Sequence, residues 1–219
     1  MIKNLIFDFD GVLVDSEMLV GKSFSRYLGS LGHEFDEKDF AKFAGKKTIQ
    51  IVEILSKKLS IKDSNKFFND IMSIGLNIYR NELTIVIGAY EYVTNSKYNL
   101  FIGSNNQKKR IIDGLKTVKL DKYFKPERIY SFDLVDRPKP HPDIYLKVID
   151  ENKLNKKETI IIEDSVVGVN AGVSAGIKVI GLTAGGHWYE NRDEKELLDA
   201  GAFVVTDDYK QITEIIESQ

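Results

Sequence analysis

Five short apolar runs that do not alternate with polar residues constrain this chain more than any other feature. They are Leu5-Ile6-Phe7, Leu100-Phe101-Ile102, Ile160-Ile161-Ile162, Val179-Ile180-Gly181-Leu182 and Phe203-Val204-Val205. Successive residues of a strand face opposite sides of a sheet, so an unbroken apolar run needs cover on both faces. Parallel sheets with helices packed above and below meet that need. Helical spacing separates the later runs, as in Ile111-Ile112-Leu115 and Ile144-Tyr145-Val148-Ile149. Strand and helix in alternation predict a doubly wound, Rossmann-like α/β core with a parallel sheet.

Residues 16–83 follow a different pattern. Val20, Phe24, Tyr27, Leu28 and Leu31 keep helical spacing, as do Ile51, Leu55 and Leu59, and then Phe67, Ile71, Ile74 and Ile78. Asp36 with Asp39 reads as a helix start, and Gly45 as a loop between helices. No strand-like run interrupts the block. The expected organisation is an α/β core from residues 1–15 and 84–219, with an α-helical cap, residues 16–83, inserted after the first strand. At 219 residues the chain is long enough for both.

Composition narrows the chemistry. A formal net charge of −2 gives no reason to expect nucleic acid or a membrane surface as a partner. No apolar stretch approaches the ~20 residues of a membrane helix, and no basic, apolar leader opens the chain, so a cytoplasmic location is expected. Without cysteine there is neither a thiol nucleophile nor a thiolate metal site. A bound metal must use oxygen or imidazole, and 33 acids against three histidines favour a hard ion on oxygen.

The chemistry-bearing residues sit where the apolar runs end. Asp8 and Asp10 close the first run and Gly11 follows; Ser104, Asn105 and Asn106 close the second. Glu163 and Asp164 close the third, and the Gly185-Gly186-His187 loop follows the fourth. In an open parallel sheet, ligands bind outside the carboxyl ends of the strands, so these groups are expected on one edge. Lys139 adds a positive charge from the stretch Arg137-Pro-Lys-Pro-His-Pro-Asp143, which three prolines stiffen. Each group also has a plainer reading. Ser104 can cap a helix beginning near Gln107, Glu163 and Asp164 can cap the helix after them, and a lone lysine is usually solvated. Those readings taken singly do not explain why every cluster falls at the same end of successive strands.

With these motifs in view, the chain resembles the haloacid dehalogenase superfamily. The likeness rests on Asp8-Phe-Asp10-Gly-Val-Leu-Val-Asp-Ser, Ile102-Gly-Ser104-Asn, Lys139-Pro-His-Pro-Asp-Ile-Tyr and Ile162-Glu-Asp164-Ser-Val-Val-Gly-Val-Asn-Ala-Gly. It is greatest to the β-phosphoglucomutase-like phosphatases with a helical cap, and among them to sugar-phosphate and 6-phosphogluconate phosphatases. The resemblance implies a Mg²⁺-dependent phosphatase for a small phosphorylated metabolite, expected as a monomer. It makes Asp8 the nucleophile and Asp10 the acid and base. Asp8, the main-chain carbonyl of Asp10, and Asp164 become metal ligands, and Glu163 a ligand or close support of the metal. Ser104, Asn105 and Lys139 are then expected on the substrate phosphate.

Two departures bear on the reaction. Mutases of this group carry a cap histidine where this chain has Val20, and basic residues around a cap-loop glycine where it has Ala44 before and Thr48 after Gly45. Lys46 and Lys47 follow that glycine instead, and are expected to meet an anionic group distal to the phosphate. Hydrolysis is therefore expected over a phosphosugar mutase reaction. A receiver-like phosphoaspartate signalling module is the alternative from another class, disfavoured by the large insert and by Asp10.

Overall fold

Strand β1 (Asn4–Phe7) is buried at every residue, and a short β2 (Val14–Asp15) follows it. Among the described residues, helices α1 (Glu17–Ser30), α2 (Thr48–Leu59) and α3 (Ser64–Glu82) come next. The two-residue β3 (Thr84–Ile85) pairs antiparallel with β2, Val14 opposite Ile85. The chain then alternates through α4 (Ala89–Thr94), β4 (Asn99–Ser104), α5 (Lys108–Thr117), β5 (Ile129–Ser131) and α6 (Asp143–Asn152). It ends with β6 (Thr159–Glu163), α7 (Val166–Ser174), β7 (Lys178–Leu182), α8 (Lys195–Asp199), β8 (Val204–Thr206) and α9 (Tyr209–Glu217). This computed structural model describes residues 1–36, 39–40, 42–43, 46, 48–188 and 192–218, with only the main chain at residue 17. Contacts divide the chain into two compact units, Met1–Asp15 with Thr84–Gln219, and Ser16–Leu83.

In the first unit six strands form a sheet in the order β5-β4-β1-β6-β7-β8, every pairing parallel. The expected doubly wound α/β fold is present. The chain builds outward from β1 to β4 and β5, then returns to lay β6, β7 and β8 on the other side. That reversal beside β1 is the switch point at which such sheets open a crevice. Phe7 pairs with Ile102 on one side and Ile162 on the other, so the residues after β1, β4 and β6 leave the sheet at a common edge. Ile6, Phe101, Ile144, Tyr145, Val148, Ile161, Val169 and Val179 share one apolar core with the covering helices. Strand β5 lies outside the five runs that predict the sheet. Its three residues are all buried, but so short an edge strand leaves no pattern to read.

The second unit has its own core of Phe24, Leu28, Ile51, Val52, Leu55, Phe67 and Ile71. Tyr27 stacks on Phe67 with ring centroids 4.6 Å apart, and Val20 packs against the same cluster. The predicted start at Asp36 takes the form of a reciprocal cap. The Asp39 N–H donates to Asp36 Oδ1 at 2.8 Å, and the Asp36 N–H donates to Asp39 Oδ2 at 3.3 Å. Ala44, Gly45 and Lys47 lie outside the described residues. Among the described residues no helix is long and apolar enough to cross a membrane.

Candidate active site

Asp8 is still tied to the sheet when the chain leaves β1, since its N–H donates to the carbonyl of Ile162 at 2.9 Å. The next residues form a tight turn. Leu13 and Val14 donate to the carbonyl of Phe9, and Gly11 donates to the carbonyl of Val14 at 2.7 Å. Gly11 has φ +77°, and a side chain there would strike the carboxylate of Asp164, so two separate constraints require glycine. The buried phenol of Tyr209 donates to the carbonyl of Val12 at 2.7 Å and anchors the turn from behind.

Lys139 is the centre of the cluster. Its ammonium lies 2.5 Å from Asp8 Oδ1 and 2.6 Å from Glu163 Oε1, and 4.8 Å from the centroid of the Tyr145 ring. Its peptide is clamped by Asn105, whose Oδ1 accepts from the Lys139 N–H (2.9 Å) and whose Nδ2 donates to the Lys139 carbonyl (3.0 Å). Both ends of the Asn105 carboxamide are thus taken by protein. The Asn105 side chain is therefore a hold on the lysine loop.

Glu163 is fully buried and its two oxygens are crowded with donors. Oε1 accepts from Lys139 and from the Tyr145 hydroxyl (2.9 Å); Oε2 accepts from the N–H groups of Asp164 (3.0 Å) and Ser165 (3.1 Å) and from the Ser165 hydroxyl (3.0 Å). A carboxylate presents about four lone-pair sites, so these five donors leave no free side for a cation. Of its two expected places, ligand or close support of the metal, these bonds exclude the first: Glu163 binds Lys139. Any side chain at Gly168, in the first turn of α7, would collide with this carboxylate.

Asp10 and Asp164 flank this centre. Asn106 Nδ2 donates to Asp10 Oδ2 at 2.8 Å, and the buried Ser104 hydroxyl accepts from the Asn106 N–H at 3.2 Å. His187, itself buried, places Nε2 2.9 Å from Asp164 Oδ2. Burial raises the pKa of Asp8 well above the usual carboxylate value. Lys139 opposes that rise, while Glu163, Asp164 and Asp10 add to it. For Lys139 burial works downward, but the charges of Asp8 and Glu163 outweigh it and hold the lysine well above its ordinary value. Four carboxylates around one ammonium leave the site with surplus negative charge.

Asp8, Asp10, Ser104, Lys139, Glu163 and Asp164 are therefore all brought to one edge of the sheet. Lys46 lies in the helical unit, exposed, its N–H donating to the carbonyl of Phe43 at 3.0 Å. Among the described residues no group of three or more His, Cys, Asp or Glu side chains is arranged to hold a metal. The remaining expected ligands are two side chains, Asp8 and Asp164, with one carbonyl.

The family profile described as haloacid dehalogenase-like hydrolase matches residues 5–182, a stretch that contains every one of these core groups. The chain belongs to the haloacid dehalogenase-like hydrolases. A phosphorylated carbohydrates phosphatase of Thermotoga maritima is 31% identical over 203 residues, covering 90% of this chain and 91% of that protein. A 6-phosphogluconate phosphatase of Escherichia coli is 24% identical over 188 residues, 85% of each chain. A solved haloacid dehalogenase-like protein of unknown function from Agrobacterium tumefaciens is 31% identical and superposes with a TM-score of 0.83, covering 100% of this chain and 99% of that one. These relatives bear out the reading of the chain as a hydrolase of the phosphatase kind.

Within this haloacid dehalogenase-like site, sequence reasoning placed Asn106 at the strand end without giving it a role, and missed Tyr145 and Gly168. Asn106 follows directly on two expected residues, so adjacency was the signal. Tyr145 sits among Ile144, Val148 and Ile149 and reads as core, yet its hydroxyl meets Glu163 and its ring face meets Lys139.

Proposed function

We propose that this hydrolase removes phosphate from a phosphorylated carbohydrate, a sugar phosphate or a sugar-acid phosphate such as 6-phosphogluconate, through an aspartyl-phosphate on Asp8. The observation that carries the reading is the buried Lys139 ammonium between Asp8 and Glu163, with Asp10 held nearby. An ammonium fixed against a carboxylate suits a reaction that brings a dianionic phosphate to a nucleophile of like charge. Asp8 forms its bond to phosphorus as the bond to the sugar oxygen breaks, and Asp10 gives that oxygen a proton. Water then attacks the phosphoryl group, Asp10 takes a proton from it, and Asp8 is released. Ser104 and Lys139 hold the non-bridging oxygens. Little covalent help is possible in so loose a transition state, and alignment and charge neutralisation carry most of the acceleration.

The donor set suits Mg²⁺: it is all oxygen, and the carboxylates that add to the rise burial gives the pKa of Asp8 are charge a divalent ion would offset. Asp8, Asp164 and the carbonyl of Asp10 would hold it. When bound it supplies charge neutralisation and orientation for the phosphate. Val20, part of the apolar packing of the helical unit, offers no proton shuttle of the kind a mutase needs.

A panel of phosphorylated sugars and sugar acids, assayed for inorganic phosphate with and without a chelator, tests the proposal. Release from at least one, lost on chelation and in Asp8→Asn, is the expected result. Isomerisation without release, or release that survives Asp8→Asn, overturns it.

A further inference from the structure

We propose that Asn106 is the positioning residue for Asp10: it holds carboxyl oxygen Oδ2 and thereby makes Oδ1 the oxygen that exchanges the proton with substrate. The inference rests on the reading of Asp10 as acid and base.

The argument begins with how Asn106 is itself fixed. Its N–H donates to Ser104 Oγ at 3.2 Å, which ties its main chain to the end of β4. Its Oδ1 accepts from the N–H of Gln107 at 2.9 Å, at the entry to α5. That contact settles the orientation of the carboxamide, because only an oxygen can accept from a main-chain N–H. The NH₂ end is therefore the one directed at Asp10, and it meets Oδ2 at 2.8 Å. An amide NH₂ donates and cannot accept. Oδ2 is thus held as an acceptor, and because a carbonyl oxygen accepts more strongly than the hydroxyl oxygen of the same acid, this contact favours Oδ1 as the seat of the proton.

Such a partner suits the reaction. In the first step the proton leaves Oδ1 for the sugar oxygen while the Asp8–phosphorus bond forms. In the second, water yields a proton to Oδ1 while its oxygen bonds to phosphorus and Asp8 is freed. A neutral donor on Oδ2 keeps the carboxyl plane fixed through both steps without favouring one charge state as strongly as a cation would. Asp10 lies on the turn after β1 and is only half-buried. Asn105 and Asn106 divide the work at the end of β4: the first holds the lysine loop, the second the acid.

The test compares Asn106→Ala, the near-isosteric Asn106→Asp, and Asn106→Ser, which restores a donor, by rapid quench of the first step. Substrates are a sugar phosphate that turns over and p-nitrophenyl phosphate, whose leaving group needs no proton. Misplacing the acid is expected to slow phosphoryl transfer from the sugar phosphate by about 100-fold in the Ala and Asp variants. Transfer from p-nitrophenyl phosphate should stay near the wild-type rate, KM should hold for both, and Ser should recover part of the loss. Equal slowing of both substrates, a raised KM at unchanged rate, or no change in either overturns the role. If Asn106→Ala does not fold, Asn106→Asp decides. Asp10→Asn separates the two readings: if it shows the leaving-group dependence and the Asn106 variants do not, only this inference fails. If it shows none, the reading of Asp10 fails first.

Discussion

The ammonium of Lys139 lies 2.6 Å from Glu163 Oε1, and the two side chains are 3% and 1% exposed. A buried pair of this kind costs little while intact and a great deal when one member is removed. Lys139→Met leaves Asp8 and Glu163 buried without a counter-charge. We expect it to abolish turnover and to lower stability by about 3–5 kcal/mol. Lys139→Arg should not restore activity, since a planar guanidinium does not replace a compact ammonium over the Tyr145 ring. Urea denaturation followed by circular dichroism, with phosphate release alongside, checks both.

Glu163→Gln separates anchoring of the lysine from binding of the metal. The anchoring role predicts a clear fall in kcat with the magnesium concentration for half-maximal activity unchanged. Asp164→Asn should raise that concentration instead, by at least the roughly 10–100-fold that loss of a ligand's supporting partner costs. A shift in the magnesium requirement of Glu163→Gln would return Glu163 to the metal.

Gly168→Ala adds one methyl group against a carboxylate that already has five donors. Glu163 must move, and Lys139 with it. The expected cost is about 1–3 kcal/mol in stability, as for other overpacked sites, with a fall in kcat of about tenfold or more. Wild-type kinetics in a folded Gly168→Ala protein would mean that the seat of Glu163 does not matter.

The sheet was legible because β1, β4, β6 and β7 are buried on both faces and so carry unbroken apolar runs. β5 and the β2–β3 ribbon escaped notice because two or three residues set up no period. The acids and Lys139 were legible because chemistry restricts their type and strand ends restrict their place. What Glu163 and Asn105 do was not. Both are polar residues at the carboxyl edge of the sheet, and only distances reveal that one is spent on a lysine and the other on that lysine's peptide. Tyr145 was hidden for the opposite reason, its apolar ring and core spacing masking the contacts it makes with Glu163 and Lys139.

Alkaline pH should unfold this protein through its buried phenols. Burial raises the pKa of Tyr145 and Tyr209 well above 10.0, Glu163 adding to the first and Tyr92 to the second. The unfolded chain then ionises before the folded one. The stability they contribute is complete below pH ~10 and is lost as pH rises toward the folded values, at about 1.4 kcal/mol per pH unit for each phenol. Of the ten tyrosines, these two should ionise only with unfolding, seen as phenolate absorbance that coincides with loss of circular dichroism. Tyr209→Phe should lower stability at neutral pH, through loss of the bond to Val12, yet make the alkaline slope shallower. Phenolate absorbance reaching its full value while the protein remains folded would contradict this.

The claim on which the account turns is that Asp8 carries the phosphoryl group during turnover. Acid quenching of the enzyme in the first turnovers of a sugar phosphate, followed by peptide mapping by mass spectrometry, tests it directly. The predicted result is a phosphoryl group on Asp8, formed at least as fast as phosphate is released, and absent in Asp8→Asn. Phosphate release with no phosphorylated Asp8 at any quench time, or a phosphoryl group mapped to another residue, would contradict it.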